Sequence, residues 1–258
     1  MYLSPHLDDA VLSCGGRLWV EAEQGAQPRV ITVLGGVPDY AALPAFARWQ
    51  HERWGNPRRV VELRRAEDRT ALERLGVTDA VYLDDQYDAI YRVGPDGQSL
   101  YNSDPDIFGE LNPLEAALPD AIADEVEPLL FGQDAGWVFA PLTVGRHVDH
   151  VLVHAVGREL AVRGYAVAHY EEYPYVNSPG SLDAALASAQ GWVPELYPLD
   201  EAALVAKIAA VSYYRSQNPV LFGDDLAMSR LLRQHAAAIA PAGNSYAERY
   251  WLCAQGSS

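Results

Sequence analysis

Basic residues are scarce in this sequence: 19 lysines and arginines stand against 35 aspartates and glutamates, a net charge of −16. That balance repels nucleic-acid phosphates and anionic lipid surfaces, and leaves small neutral or cationic molecules as the natural partners. Cysteine is nearly absent, with only Cys14 and Cys253 in 258 residues. No run is both long and apolar enough for a signal sequence or a membrane span. With the chain opening directly on an apparent structural segment, a reducing, cytoplasmic setting is the default expectation. Repeats, charge runs, low-complexity tracts and a convincing linker are also missing, so a single domain over 1–258 is expected. A chain of this size buries roughly three-quarters of its unfolded surface, enough for a proper core.

What is present is an alternation of short apolar runs with amphipathic stretches. The runs Tyr2 to Ser4, Arg29 to Leu34, Ala80 to Leu83, Trp137 to Ala140 and Ala166 to Tyr170 read as strands. Residues 9–24, 60–75, 115–130, 149–163 and 201–215 read as helices. Gly76 and Gly164 stand where helices should stop. This order predicts an α/β fold with a mostly parallel sheet. Two long connections, 35–58 and 84–114, are rich in Pro, Gly, Asn, Asp and aromatics without a clear period, as functional loops often are. Their rings suit stacking on a sugar or plain loop packing equally well.

Two compact His/Asp clusters follow apolar strands: His6-Leu7-Asp8-Asp9 near the start and His147-Val148-Asp149-His150 far downstream. Within each, a three-residue spacing puts two side chains on neighbouring positions of one helical turn. Imidazole and carboxylate suit zinc or ferrous iron, and three protein ligands leave a coordination position for water. Ligands of open α/β sheets gather beyond the carboxyl ends of strands, so the clusters can converge. Each has a plainer reading, because acidic residues at a helix start also interact with its macrodipole. His150 and His154 are one turn apart as well, and spacing alone does not choose between them. His51, His169 and His235 lack companion motifs and read as surface or satisfied core histidines, and Cys14 as a small buried hydrophobe. Gly15-Gly16 and Gly35-Gly36 do not complete a dinucleotide fingerprint and read instead as sites of close packing and a tight strand exit.

The segments SPHLDDAVLSCGG at 4–16, RRAEDRTALERLG at 64–76, GRHVDH at 145–150, YEEYPY at 170–175 and YRSQ at 214–217 together resemble the LmbE-like, or PIG-L, family of metal-dependent N-acetylglucosamine-type deacetylases. Leu7 departs from the proline of many relatives without removing a ligand. The resemblance implies a Rossmann-like three-layer αβα sandwich, with His6, Asp9 and His150 holding Zn2+, or Fe2+ or another divalent metal. It implies Asp8 as general base toward a metal-bound water, whose pKa zinc can lower to about 7. His147, charged or hydrogen-bonding, stabilises the oxyanion, with Asp149 orienting His147. Asp8 or His147 delivers the proton to the leaving amine. Arg64 is the candidate substrate contact and Glu67 its structural partner, while Glu171 and Glu172 are candidate pocket-lining residues. The implied substrate is a small N-acetylated amino sugar or glycoconjugate, and a homo-oligomer is compatible. A non-haem iron oxygenase, which can share two histidines and a carboxylate, and a non-catalytic carbohydrate-binding protein are the alternatives. Asp8 argues against both, because neither needs a water-activating base.

Overall fold

The protein was analysed as a computed structural model that describes residues 1–55, 58–130, 136–187 and 191–253. Five strands follow the expected order: β1 (Tyr2–Ser4), β2 (Arg29–Thr32), β3 (Asp79–Tyr82), β4 (Val138–Pro141) and β5 (Val167–Tyr170). Two more, β6 (Trp192–Leu199) and β7 (Tyr246–Cys253), arise where the sequence predicts none. The helices are α1 (Asp9–Glu23), α2 (Ala45–Arg53), α3 (Val60–Arg74), the short α4 (Asp104–Ile107), α5 (Leu118–Leu130) and α6 (Val148–Val162), then α7 (Ser181–Leu186), α8 (Glu201–Val211), the short α9 (Asn218–Leu221) and α10 (Asp225–Ala238).

The sheet runs β3-β2-β1-β4-β5-β7-β6. β1 to β5 are parallel, whereas β7 runs antiparallel to both β5 and β6. Side chains alternate across a strand, and the two faces sort accordingly. Tyr2, Val30 and Phe139 join a core with Leu18 of α1, Leu72 of α3, Ala210 of α8 and Leu232 of α10. Leu3, Ile31 and Ala140 point the other way and pack with Val126 of α5 and Val153 of α6. The result is the expected three-layer αβα sandwich.

Local chemistry explains the helix ends. Gly76 has φ +79°; its N–H donates to the Glu73 carbonyl and that of Val77 to the Leu72 carbonyl, each at 3.0 Å. This pair of bonds is a Schellman stop, which needs a left-handed residue. The Gly15-Gly16 pair packs closely as expected: a Cβ at Gly16 would lie 2.4 Å from the Leu199 side chain. For the site, the decisive feature is the order reversal between β1 and β4. Chain leaving β1 goes to one side and chain leaving β4 to the other, which opens a crevice at their carboxyl ends.

Candidate active site

His6 leaves β1 and Asp9 opens α1, while His150 sits in the first turn of α6 after β4. The switch point therefore brings together residues more than 140 positions apart. Asp9 Oδ2 accepts the His6 backbone N–H at 2.9 Å. The same oxygen lies 3.2 Å from His6 Nδ1 and 3.4 Å from His150 Nε2. The other nitrogen of each ring is already engaged: His6 Nε2 is 2.8 Å from Asp149 Oδ2, and His150 Nδ1 is 3.2 Å from Glu172 Oε1. An ionised carboxylate only accepts, so those nitrogens carry the protons, and the neutral rings aim their lone pairs at Asp9.

Lone pairs facing a carboxylate oxygen in a buried site need a cation between them. His150 Nε2 is buried with no hydrogen-bond partner. A second proton on each ring is one answer. At His150, burial opposes that charge, but Asp9 and Glu172 outweigh it and raise the pKa to about 9. At His6, burial is likewise outweighed, by bonds to Asp149 and Asp9. A divalent metal is the other answer, and the residues fit it: one ligand atom each from His6, Asp9 and His150 lies within 4.8 Å of the others. His6, His147 and Asp149 meet the same distance. In that set, however, the His6–Asp149 contact at 2.8 Å already holds a proton, and His147 Nδ1 accepts the Asp149 N–H at 3.2 Å.

Asp8 precedes α1 at its N-cap position, yet its side chain caps no backbone N–H. Burial raises its pKa to about 6, with Arg64 pulling the other way. Arg64 Nη2 lies 3.6 Å from Asp8 Oδ1 and its guanidinium is 5.3 Å from the centre of the Trp54 ring. Its Nε is buried without a partner, so the side chain joins an ion pair and keeps a donor in reserve. Asp149 stands differently from expectation. Its Oδ2 accepts from His6 and from Ala89 N–H at 3.0 Å, and its Oδ1 lies 2.7 Å from Arg92 Nη1. His147 Nδ1 is 3.9 Å away. The Asp149 carboxylate is thus held on the His6 side by Arg92, while the backbone N–H of Asp149 is what bonds His147. Of the two forms open to His147, burial favours the neutral one by lowering its pKa to about 3. With Nδ1 accepting, Nε2–H is the donor left for the crevice.

A family model described as PIG-L: GlcNAc-PI de-N-acetylase matches residues 1–161, the stretch that holds all these side chains except Glu172. The chain belongs to the PIG-L family. A 2′-N-acetylparomamine deacetylase of Niallia circulans is 31% identical over 240 residues, which is 87% of this chain and 82% of that protein. A 2′-N-acetylparomamine deacetylase of Streptomyces fradiae is 30% identical over 253 residues, 93% and 79% of the two chains. The zinc-inhibited form of a teicoplanin deacetylase superposes with a TM-score of 0.82 at 29% identity, over 97% of this chain and 96% of that one. This PIG-L chain is a hydrolytic N-deacetylase whose site fits a divalent metal.

The remaining PIG-L-like segments dock on one another. Glu67 of α3 accepts from Ser216 N–H at 3.0 Å and from its hydroxyl at 2.6 Å. Asp68 accepts from the hydroxyls of Tyr214, at 2.7 Å, and Tyr82, at 2.9 Å. Glu67 therefore pairs with Ser216 rather than Arg64. Glu171 and Glu172 are also corrected, since neither lines the site cavity. Glu171 pairs with Arg249 and accepts the Trp251 Nε1–H at 2.7 Å, while Glu172 is fully buried behind His150. The cavity itself, about 330 Å³, is lined by Asp8, Arg64, His147 and the rings of Trp54, Phe108 and Tyr175. Larger cavities of about 720 and 770 Å³ open elsewhere, without any residue of the His6, Asp9 and His150 set. The sequence does not single out Asp88 and Asp104, which line the crevice from within the 84–114 connection, and Gln217, the last residue of the YRSQ segment, lines it as well. His51, as a satisfied core histidine, has its Nε2 2.8 Å from the Tyr91 hydroxyl.

Proposed function

We propose that this chain removes the acetyl group from an N-acetylated amino sugar or small glycoconjugate by zinc-dependent hydrolysis, releasing acetate and a free amine. The observation that carries the reading is the buried, unpartnered His150 Nε2 converging with His6 Nδ1 on one Asp9 oxygen. His6, Asp9 and His150 would hold the metal, which supplies Lewis acidity toward the amide carbonyl and makes the attacking water more acidic. Asp8, beside this set and free of capping duty, accepts the proton of the attacking water. His147 donates from Nε2 to the oxyanion that forms on the carbonyl oxygen. A neutral His147 has only that proton to give, so Asp8 returns its own to the leaving amine. Arg64, which lines the cavity, steadies Asp8 and turns its guanidinium toward a substrate oxygen.

The substrate class follows from charge. Asp8, Asp88 and Asp104 face the crevice beside Arg53 and Arg64, with Asp104 3.6 Å from Arg53, and the chain carries −16 overall, so acidic groups prevail and an aminoglycoside-like sugar bearing further ammonium groups suits it. Ferrous iron would fit the same ligands. The whole chain is read as one domain, because β7 and β6 extend the sheet begun by the family-matched segment. A cytoplasmic setting agrees with the low cysteine count, and no helix among the described residues is long and apolar enough to cross a membrane. A direct test is acetate release from N-acetylglucosamine and 2′-N-acetylparomamine. Release that depends on added metal supports the reading; no release from any acetamide sugar contradicts it.

A further inference from the structure

Glu172 belongs to no element of the reaction described above, yet four donors converge on it. Its carboxylate accepts the backbone N–H groups of Leu142 at 3.2 Å, Thr143 at 2.7 Å and Val144 at 3.1 and 3.2 Å. His150 Nδ1 adds a fourth at 3.2 Å. Three successive amides turned to one anion form a concave nest of partial positive charge. The loop so held is strained. Thr143 has φ +76° and Arg146 φ +57°, a left-handed conformation that is unfavourable for any residue with a Cβ. That loop leads from β4 directly into His147.

We propose that Glu172 is the positioning residue that registers the two halves of the site against each other; this rests on the metal reading of His6, Asp9 and His150. On one side its acceptor fixes the His150 tautomer, with the proton on Nδ1 and the lone pair on Nε2. A carboxylate behind a ligand histidine also makes that ligand more basic. On the other side the same carboxylate offsets the strain of the 142–146 loop, and so sets where His147 meets the carbonyl. Glu171 provides an internal comparison. It is the neighbouring residue and also buried, but it is spent on Arg249 and Trp251.

The experiment measures zinc affinity by chelator competition on the purified chain, together with kcat and KM for acetate release, in wild type, E172Q and E171Q. E172Q should weaken zinc by about 10- to 100-fold, the usual effect of losing such a partner, and should lower kcat with KM little changed. E171Q should lower the melting temperature but keep zinc affinity and kcat. E172D, which keeps the charge but withdraws it by one methylene, should fall between and serves as the comparison if E172Q does not fold. T143G should restore part of the stability lost in E172Q, through relief of the loop, without restoring zinc affinity. Wild-type zinc affinity in E172Q, or equal losses in E171Q and E172Q, would overturn the proposal. If His150→Ala bound zinc as tightly as wild type, the underlying metal reading would fail instead.

Discussion

The roles proposed for the adjacent carboxylates Asp8 and Asp9 differ because their neighbours differ. Asp9 is pressed by two histidines; burial pushes its pKa up, but where protons rather than a metal take up the ring lone pairs, the charge on His150 and His6 outweighs burial and holds the carboxyl well below the ordinary range. Asp8 lies 3.6 Å from Arg64 and keeps a basic oxygen for the crevice. Asp8→Asn should therefore retain zinc while kcat for acetate release falls by roughly 10²–10⁴-fold, the contribution of a positioned base; metal content and turnover measured on one sample check this. An unchanged kcat would remove Asp8 from the base role. His147→Ala should leave zinc in place and cost about 10²–10³ in kcat through loss of one oxyanion donor. Single-turnover rates at saturating substrate distinguish that outcome from a binding defect, which would appear in KM alone.

At the scale of elements, the docking of α3 against the loop before α9 is the joint that holds Arg64 in place. Its stop at Gly76 is tested by Gly76→Ala, which forces a Cβ into φ +79° and to within 3.0 Å of the Ala22 side chain. Urea unfolding should show a loss of about 1–2 kcal/mol, with activity per folded molecule unchanged. The five parallel strands and their helices were legible in the sequence because hydrophobic period marks each of them and glycine stops at Gly76 and Gly164 end two of the helices. β6 was not, since Pro194 and Pro198 argue against a strand and are tolerated only because β6 lies on the sheet edge. α10 carried a readable signal in Asp224 as its cap and in Met228, Leu232 and Ala236 at four-residue spacing. The two His/Asp clusters that meet at the crevice were legible because each is local. Asp149's allegiance to His6, Glu67's to Ser216 and the burial of Glu172 were not, because topology rather than spacing chooses those partners.

At the scale of the molecule, burial makes stability depend on pH away from the site. His169 is buried, with its Nδ1 3.1 Å from the Pro141 carbonyl oxygen, and burial pushes its pKa down to about 3. The folded pKa lies below that of the unfolded chain, so this contribution is complete above about pH 6.5 and is lost as pH falls from there toward 3. Wild type should therefore lose stability across pH 6 to 4 more steeply than His169→Asn, which keeps a donor to Pro141, by up to about 1.4 kcal/mol per pH unit. Urea midpoints at a series of pH values read this difference, and parallel curves would contradict it. Hydrolysis at the His6, Asp9 and His150 centre is the central proposal. The most direct measurement is acetate released from 2′-N-acetylparomamine by chelated protein, before and after zinc is returned, with His150→Ala in parallel. The account predicts acetate and free amine in equal amounts, appearing only after metal is restored and not in the variant. Equal turnover by chelated protein, or by His150→Ala, would contradict it.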